Sequence, residues 1–224
     1  MPESMSGSIA LMLPELWTAF LQTALMLGIG LSSAVLIGGP LGVLLFLFAD
    51  GQALQNRKLA LVLGWCVNTV RSFPFIILMV ALVPVTRSLA GTSIGPLAAA
   101  VPLSFAAIPY FARLVEQNLR EVPRGVIEAA QSMGASEFQI VLRVLLPEAR
   151  AALVLSLTVL AISFLSYSAV AGVVGGGGIG DLAIRYGYYR FETDVMVFTV
   201  AVLIVLVQII QFAGTRVARR LDKR

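Results

Sequence analysis

Long intervals without a charged residue constrain this chain more than any other feature. Between Glu15 and Asp50 lie 34 uncharged residues, and a charge at the centre of a bilayer costs several kcal/mol. At ~1.5 Å per residue this interval would make a helix of about 51 Å, too long for one upright span and too short for two spans with a turn. We therefore expect one long helix that is tilted, or kinked at Gly38-Gly39-Pro40.

Charge-free intervals of this kind recur along the whole chain. Only 12% of the residues are charged and 58% are hydrophobic, which leaves too little polar surface to cover a globule in water. We therefore expect an all-α polytopic membrane protein, with one domain at residues 16–215. Its five transmembrane helices are predicted at residues 16–49, 59–86, 91–112, 151–176 and 195–215.

The positions of the basic residues predict how these spans are oriented. With the N-terminus outside and the C-terminus in the cytoplasm, 12 of the 16 Lys and Arg residues lie in cytoplasmic segments and Arg87, Arg185 and Arg190 in outer ones. Arg71 falls inside the second span. The net charge of +4 is thus explained by topology, and nucleic acid is not expected as a partner.

Several kinds of chemistry are excluded by composition and context. The chain has no histidine and one cysteine, so no zinc site or histidine-based catalysis is expected within one chain. The run 175–180 formally contains the dinucleotide pattern G-x-G-x-x-G, but it follows a membrane span and lacks the Lys-Ser/Thr of a phosphate loop. We expect no cofactor, no metal, no ATPase motif and no enzyme activity.

The cytoplasmic loop at residues 120–147 carries the most local information. Pro123 suits the first turn of a helix, and Gly134 is a natural end for it. Ser136 and Gln139 have the spacing of a capping box that starts a second helix. The loop is therefore predicted to be a short helix, a glycine hinge and a second helix that leads into the fourth span.

The short helix of this loop has an apolar face that is open to two interpretations. It can lie on the membrane surface or its own bundle, or its small residues can form a knob for the groove of a partner. The face is predicted to contain Val126, Ile127, Ala130 and Met133.

The motif Glu128-Ala129-Ala130, followed by Gly134 and then Leu146-Pro147, resembles the signature loop of binding-protein-dependent ABC import permeases. In that family the short helix is a coupling helix that docks into a cleft of a cytoplasmic ATPase, whose ATP hydrolysis supplies the energy. The ATPase-coupling residues that the resemblance implies are Glu128, Ala129, Ala130, Met133, Gly134, Ala135 and Pro147.

Four further segments, residues 71–78, 91–95, 109–113 and 167–189, are similar to the methionine-import permeases of this family. The resemblance implies a type I ABC importer fold in a bacterial cytoplasmic (inner) membrane, and transport of D- and/or L-methionine by alternating access. It also implies a homodimer that works with two cytoplasmic ABC ATPase subunits and an external substrate-binding lipoprotein, within the lipid bilayer.

Three groups of residues have both a structural and a functional interpretation. Arg71 is either an interfacial arginine or part of the translocation path. The glycines 175–178 and Gly180 form either an irregular turn at the outer face or an outer gate. The hydroxyl residues of the fourth span either bond their own backbone or line the path; they are Ser163, Ser166, Tyr167 and Ser168.

A stripe of small residues follows the first span at every fourth position: Gly30, Ala34, Gly38 and Gly42. Such a stripe allows another helix to approach closely. The sequence leaves open whether that helix belongs to the same subunit.

Three alternatives to an ABC importer of methionine remain. One is an importer permease for another small amino acid, and another is a membrane scaffold that only recruits a partner. The third is an ion-coupled secondary amino-acid transporter acting alone. Such transporters place ionisable groups at the bilayer midplane and have repeated halves, whereas none of the five predicted spans contains an acidic residue.

Overall fold

The computed structural model describes residues 5–52 and 54–222, with side chains from residue 12 onward. Regular structure in these residues is helical throughout, as expected. The α-helices are α1 (Met5–Ser33), α2 (Gly39–Phe48), α3 (Arg57–Ser72), α4 (Phe75–Ala81), α5 (Val83–Ala90), α6 (Pro96–Arg120), α7 (Arg124–Ser132), α8 (Glu137–Ile140), α9 (Leu146–Ala171), α10 (Ile179–Leu182) and α11 (Thr193–Leu221). Short π-helical turns lie at Ala34–Gly38, Val141–Leu145, Gly172–Gly176 and Ala183–Tyr188.

Four helical runs are long and apolar enough to cross a membrane: Met12–Phe48, Pro96–Arg120, Glu137–Gly176 and Thr193–Leu221. The bent pair of α3 and α4 makes a fifth when it is counted as one span. Large apolar side chains such as those of Leu36, Ile204 and Phe212 are exposed on these helices, and such surface requires lipid or another protein chain. The expected all-α membrane architecture is confirmed, while the orientation of the termini stays a prediction.

The first span contains an irregularity just before Pro40. A proline has no N–H to donate to the carbonyl four residues back, and its ring clashes with that carbonyl. The chain adopts a π turn at Ala34–Gly38, in which the N–H of Gly39 donates to the carbonyl of Ala34. The interruption expected at Gly38-Gly39-Pro40 therefore takes the form of a π turn inside one long helix.

The interval expected to form the second span is divided into α3, α4 and α5. Phe73 and Pro74 both have extended backbone, with ψ of 130° and 134°. Phe73 does so because a residue before proline avoids the helical region. Pro84 then lies in the first turn of α5. A search for charge-free intervals does not detect breaks of this kind, since proline is uncharged.

The chain forms two compact units. Unit 1 comprises the residues up to Gly30 together with Pro74–Phe105 and Ala161–Ile210, and unit 2 comprises Leu31–Phe73, Ala106–Leu160 and the residues from Gln211 onward. In unit 1, Ala19 packs with Ile179, Leu182 and Val195. In unit 2, Leu45 packs with Val67 and Ala112.

The C-terminal half of the small-residue stripe, Gly38 and Gly42, packs within unit 2 of the same subunit. A Cβ atom at Gly38 would lie 2.5 Å from the carbonyl oxygen of Ile108, and one at Gly42 would collide with the carbonyl of Ala112. The backbone of this first helical run therefore lies directly against α6. This contact resolves the question that the sequence left open for Gly38 and Gly42.

Candidate functional site

The α7 helix ends at a glycine in the left-handed conformation. Gly134 has φ of +81°, and its N–H donates to the carbonyl of Gln131 at 2.9 Å. The N–H of Ala135 donates to the carbonyl of Ala130 at 3.1 Å. These two bonds make a Schellman motif, so the predicted glycine hinge is present.

The second part of the loop begins with the predicted capping box. The Ser136 hydroxyl accepts from the N–H of Gln139 at 3.4 Å, and the Gln139 side chain accepts from the N–H of Ser136 at 2.9 Å. The α8 helix then continues through the π turn at Val141–Leu145 into α9. The short helix α7 and its fixed turn thus lead into the third long helical run, Glu137–Gly176, which α8 begins.

The seven predicted coupling residues differ in their accessibility. Glu128, Ala129, Met133, Gly134 and Pro147 are exposed, and Met133 has 82% of its surface accessible. Ala130 is only 4% exposed and Ala135 is half-buried.

The predicted apolar face of α7 is therefore divided between two roles. Ile127 and Ala130 turn toward unit 2, while Val126 and Met133 remain exposed. Phe138, which the sequence did not single out as a coupling residue, is 72% exposed just after the hinge. The loop thus packs on its own unit through Ala130 and presents a separate apolar surface around Met133.

Charged residues surround a cavity of about 330 Å³ beside α7. Glu128 lines it together with Arg120, Arg124, Asp50 and Glu137. Charged groups of both signs require water or a polar partner rather than acyl chains. This side of the loop is therefore suited to an aqueous face.

An ion-pair cluster around one buried carboxylate lies at the end of α6 that leads into this loop. Both oxygens of the buried Glu116 carboxylate are paired, one with Arg113 at 2.5 Å and one with Arg120 at 2.8 Å. Arg113 also donates to the Asn68 side chain on α3 at 2.7 Å. The cluster ties α6 to α3 within unit 2, and Arg120, its outermost member, is followed four residues later by the start of α7.

Sequence reasoning missed this cluster because charges were used to end the spans. The third span was predicted to stop at residue 112, whereas α6 continues to Arg120. Glu116 is three residues after Arg113 and four before Arg120, and pairs at these spacings share one face of a helix. That spacing was the available signal.

Arg71 and the hydroxyl residues of α9 belong to different units. In unit 2, the exposed Arg71 guanidinium lies 5.4 Å from the ring centroid of Tyr110. In unit 1, the ring of Tyr167 stacks on Phe75 at 4.8 Å, and the Ser168 hydroxyl is buried and donates to the carbonyl of Leu165. Ser168 thus bonds its own backbone, while Ser163, Ser166 and Tyr167 are at least partly exposed.

The glycine run forms the irregular turn that was one of its two interpretations. After the π turn at Gly172–Gly176, the backbone has φ of +74° at Gly177 and +88° at Gly178 before α10 begins. L-residues with side chains rarely adopt this conformation. Of the five predicted gate glycines, only Gly175 is exposed; Gly177 is half-buried, and Gly176, Gly178 and Gly180 are buried.

Two polar side chains on α1 hold this turn. The Gln22 side chain accepts from the N–H of Gly178 at 2.8 Å, and the Thr23 hydroxyl accepts from the N–H of Ile179 at 3.0 Å. A Cβ at Gly177 would lie 2.5 Å from the Gln22 oxygen, and one at Gly178 would lie 2.7 Å from the Thr23 oxygen. The glycines therefore let the turn approach the two acceptors, which sequence reasoning did not identify.

The segment after α10 carries a second polar contact with α1. The Tyr186 hydroxyl donates to Glu15 at 2.6 Å, and the Arg190 guanidinium lies 4.4 Å from the Tyr186 ring centroid. The hydrogen bond to Glu15 raises the pKa of Tyr186 above its ordinary value of 10.0. Tyr186 therefore keeps its proton at physiological pH and can donate to Glu15.

Comparison with known proteins connects these features to a family. Residues 38–224 match the model of the binding-protein-dependent transport system inner membrane component. The chain is 51% identical over 209 residues to a probable D-methionine transport system permease protein of Vibrio cholerae, covering 93% of each chain. It is 43% identical over 212 residues to the methionine import system permease protein of Bacillus subtilis, covering 95% of this chain and 96% of that one.

A solved structure gives the same result for the fold. A chain of the MetNI methionine ABC transporter, in an inward-facing conformation, superimposes with a TM-score of 0.92 and 43% identity, covering 95% of this chain and 98% of that chain. The family match includes both the Schellman-terminated helix and the glycine turn. The chain therefore belongs to the family of inner membrane components of binding-protein-dependent transport systems, and is a permease of the ABC importer fold.

Proposed function

We propose that this chain is the permease subunit of an ATP-driven importer of D- and/or L-methionine. It works as a homodimer with two cytoplasmic ABC ATPase subunits and an external substrate-binding lipoprotein, in the bacterial inner membrane. The names of the relatives at 43–51% identity support the substrate. The MetNI neighbour supports the assembly. The permease domain is residues 16–215, with the N-terminus outside and the C-terminus in the cytoplasm.

The observation that carries the proposal is the geometry of the coupling loop. A short helix closed by a Schellman motif leaves Met133 exposed at its end, next to a hinge whose shape is fixed by Gly134. A rigid knob of this kind suits the groove of another protein, because the loop loses little conformational entropy when it docks. Glu128, Ala129 and Met133 contact the ATPase, while Ala130 anchors the knob to its own subunit.

The mechanism follows from differential affinity. The chain has no phosphate loop, so nucleotide acts only through the partner. The equilibrium between the inward-facing and outward-facing states shifts by the difference in the affinity of the ATPase for the loop in the two states. Arg71, Ser163, Ser166 and Tyr167 contribute to the path, and the turn at 175–178 with Gly180 closes its outer end.

Reconstitution tests the proposal. Liposomes that contain this permease, its ATPase and its binding protein should accumulate labelled L- or D-methionine only when ATP is supplied. Other small amino acids serve as the comparison set. Uptake by the permease alone, or uptake driven by an ion gradient without ATP, would contradict the proposal.

The ion-coupled alternative gains no support from the acidic residue inside α6. Glu116 is buried, but both of its oxygens are paired with arginine guanidinium groups. A carboxylate whose two oxygens are both held by arginines offers no free oxygen to a coupling ion. Glu116 is better explained as a structural residue.

A further inference from the structure

The C-terminal end of α11 carries a cluster of arginines that the transport function does not explain. Arg216, Arg219 and Arg220 are all exposed, and none of them makes a salt bridge with another described residue. Helix residues that are three and four apart are neighbours on one face, so the three guanidinium groups share one side of α11. Lys223 and Arg224 continue the basic run in the sequence.

The end of α11 is held against α9 within unit 2. A Cβ atom at Gly214 would collide with the Thr158 side chain, and Nε of Arg150 donates to the carbonyl of Leu221 at 2.9 Å. Leu221 comes seven residues after Gly214, and Arg150 comes eight residues before Thr158. The two helices therefore run antiparallel and side by side over about two turns. The arginine cluster is part of an ordered helix end.

The role that basic side chains commonly have at a helix end is filled here by another helix. Lysine and arginine near a helix C-terminus often bond its last carbonyl groups. At the end of α11, Arg150 of α9 makes that bond to Leu221. The exposed arginines of α11 are therefore available to a partner outside the chain.

The side of α11 that bears the arginines also bears an exposed aromatic ring. Phe212 is 66% exposed, and the Arg216 guanidinium, one turn further on, lies 5.8 Å from its ring centroid. A large apolar side chain on the surface of a membrane helix suits acyl chains, while an arginine next to it can extend its charged group to the polar interface. This side of α11 thus changes from apolar to cationic within one turn.

The position of this change matches the thickness of a bilayer core. No charged residue stands between Asp194 and Arg216, an interval of 21 residues. At ~1.5 Å per residue this interval is about 31 Å long, and the hydrocarbon core is about 30 Å thick. Arg216 therefore lies at the boundary of the core. Arg219 and Arg220, about 5 Å further along the helix axis, lie in the headgroup layer.

The charges at this end of unit 2 do not cancel. The acidic residues next to the contact between the two helices are Glu148 and Asp222. The basic residues outnumber them; they are Arg150, Arg216, Arg219 and Arg220. Guanidinium groups match the geometry of phosphate oxygens, and anionic lipids attract basic residues that follow a membrane helix directly.

We propose that the end of α11 is a binding surface for the phosphate headgroups of anionic phospholipids. Arg216, Arg219 and Arg220 donate to the phosphate oxygens, and Phe212 contacts the acyl chains. The inference requires a membrane but does not depend on the transported substrate. A lipid bound here lies beside the start of α9, into which the coupling loop leads.

The test measures lipid preference in the assembled complex of permease and ATPase. The complex is equilibrated in mixed micelles that contain equal amounts of phosphatidylglycerol and phosphatidylcholine with the same acyl chains, and the lipids that remain bound are counted by native mass spectrometry. The wild type should retain phosphatidylglycerol in preference to phosphatidylcholine. Added salt should reduce this preference, because it screens the attraction between arginine and phosphate.

Arg219→Gln/Arg220→Gln should lower the preference for phosphatidylglycerol roughly 5- to 30-fold, given the usual contribution of a basic residue at a membrane surface. Arg219→Lys/Arg220→Lys keeps both charges and should retain most of the preference. An unchanged preference in the glutamine variant would overturn the inference.

Arg57→Gln/Arg87→Gln is the matched control, because it removes the same charge from two exposed arginines that already have polar neighbours. Arg57 lines a cavity together with Asp50, and the Arg87 side chain donates to Ser93 at 3.4 Å. This control should keep the preference of the wild type. An equal loss in the control would show that only the net charge matters, and the specific surface would be ruled out.

Three further outcomes would overturn the inference. The first is equal retention of the two lipids by the wild type. The second is displacement of phosphatidylglycerol by excess glycerol 3-phosphate, which would show a site for a soluble phosphate. The third is loss of the ATPase or of the second permease copy from the glutamine variant alone, which would show a protein interface. ATP-dependent methionine uptake tests the proposed function separately, since its failure would leave the lipid preference of the wild type unchanged.

Discussion

Gly134 gives the coupling loop its shape because its φ of +81° is unfavourable for any residue with a Cβ atom. The Schellman bonds at this residue set the direction in which the chain leaves α7. The exposed side chain of Met133 comes immediately before it. A change at this one backbone position therefore alters how the knob is presented.

Gly134→Ala should weaken co-purification of the ATPase without preventing membrane insertion. The left-handed conformation costs alanine about 1–2 kcal/mol, so the hinge opens or distorts. Pull-down of the ATPase from detergent extracts measures the effect. Gly125→Ala is the matched control, because Gly125 lies within α7 and a Cβ there would meet open space; equal loss in both variants would contradict a specific role for the hinge.

Glu116 is the second residue on which the loop depends. Its buried carboxylate neutralises the charges of Arg113 and Arg120 at the end of α6. Removing the charge from a buried pair leaves its partners uncompensated. The effect is moderated here because the side chain of Arg120 is more than half exposed.

Glu116→Gln should destabilise the permease by about 1–3 kcal/mol, seen as a lower melting temperature in detergent. ATPase binding should weaken as well, because α6 leads directly into the coupling loop. Glu121→Gln, at an exposed residue just beyond the same helix, should leave both measurements unchanged. A melting temperature for Glu116→Gln that matches the wild type would show that the cluster adds no stability.

At the scale of elements, the glycine turn depends on α1 more than on its own sequence. The positive φ angles of Gly177 and Gly178 allow two backbone N–H groups to reach Gln22 and Thr23. Those acceptors stand 156 residues earlier in the chain. The first helix thus holds the segment proposed as the outer gate.

Thr23→Val should loosen this turn while leaving α1 helical. The variant leaves the buried N–H of Ile179 without an acceptor, which costs about 1–3 kcal/mol. Hydrogen exchange at Ile179 and Gly178 should accelerate roughly 5- to 150-fold, as that free energy implies. Thr18→Val serves as the control, because the Thr18 hydroxyl donates to the Pro14 carbonyl of its own helix. If Thr18→Val accelerates exchange at Ile179 and Gly178 equally, Thr23 has no specific role in stabilising the turn.

Elements were predictable to the extent that their signals are local. The capping box at Ser136 and the glycine end of α7 were both expected, since each depends on residues within one turn. The break at Phe73–Pro74 and the extension of α6 to Arg120 were not. Charge-free length reports where lipid can cover the chain, and it is insensitive to proline breaks and to charges that neutralise each other.

At the scale of the whole molecule, the proposal depends on which loops face the cytoplasm. The coupling loop and the segment after α10 must lie on opposite sides of the membrane. Each offers an accessible apolar residue, Met133 in the first and the 84% exposed Phe191 in the second. The topology can therefore be measured directly.

Met133→Cys and Phe191→Cys, each in a Cys66→Ser background, should react differently with an impermeant maleimide in cells whose inner membrane is intact. The cysteine at position 191 should be labelled from outside, because the positive-inside bias places that segment there. The cysteine at position 133 should be labelled only after the membrane is permeabilised. The reverse pattern would rule out ATPase docking at α7.

The sequence by itself determined that this chain crosses a membrane several times and carries a helix–glycine–helix loop, because hydrophobicity and helix ends are properties of neighbouring residues. The tertiary structure alone decided which polar groups meet across distant segments and how deeply they are buried. Arg113 reaches Asn68 on α3, the Glu116 carboxylate beside it is buried, and Thr23 holds a turn at the other end of the chain. Burial and hydrogen bonding are set by segments far apart in sequence, and these contacts decide what a polar side chain inside a membrane protein can do.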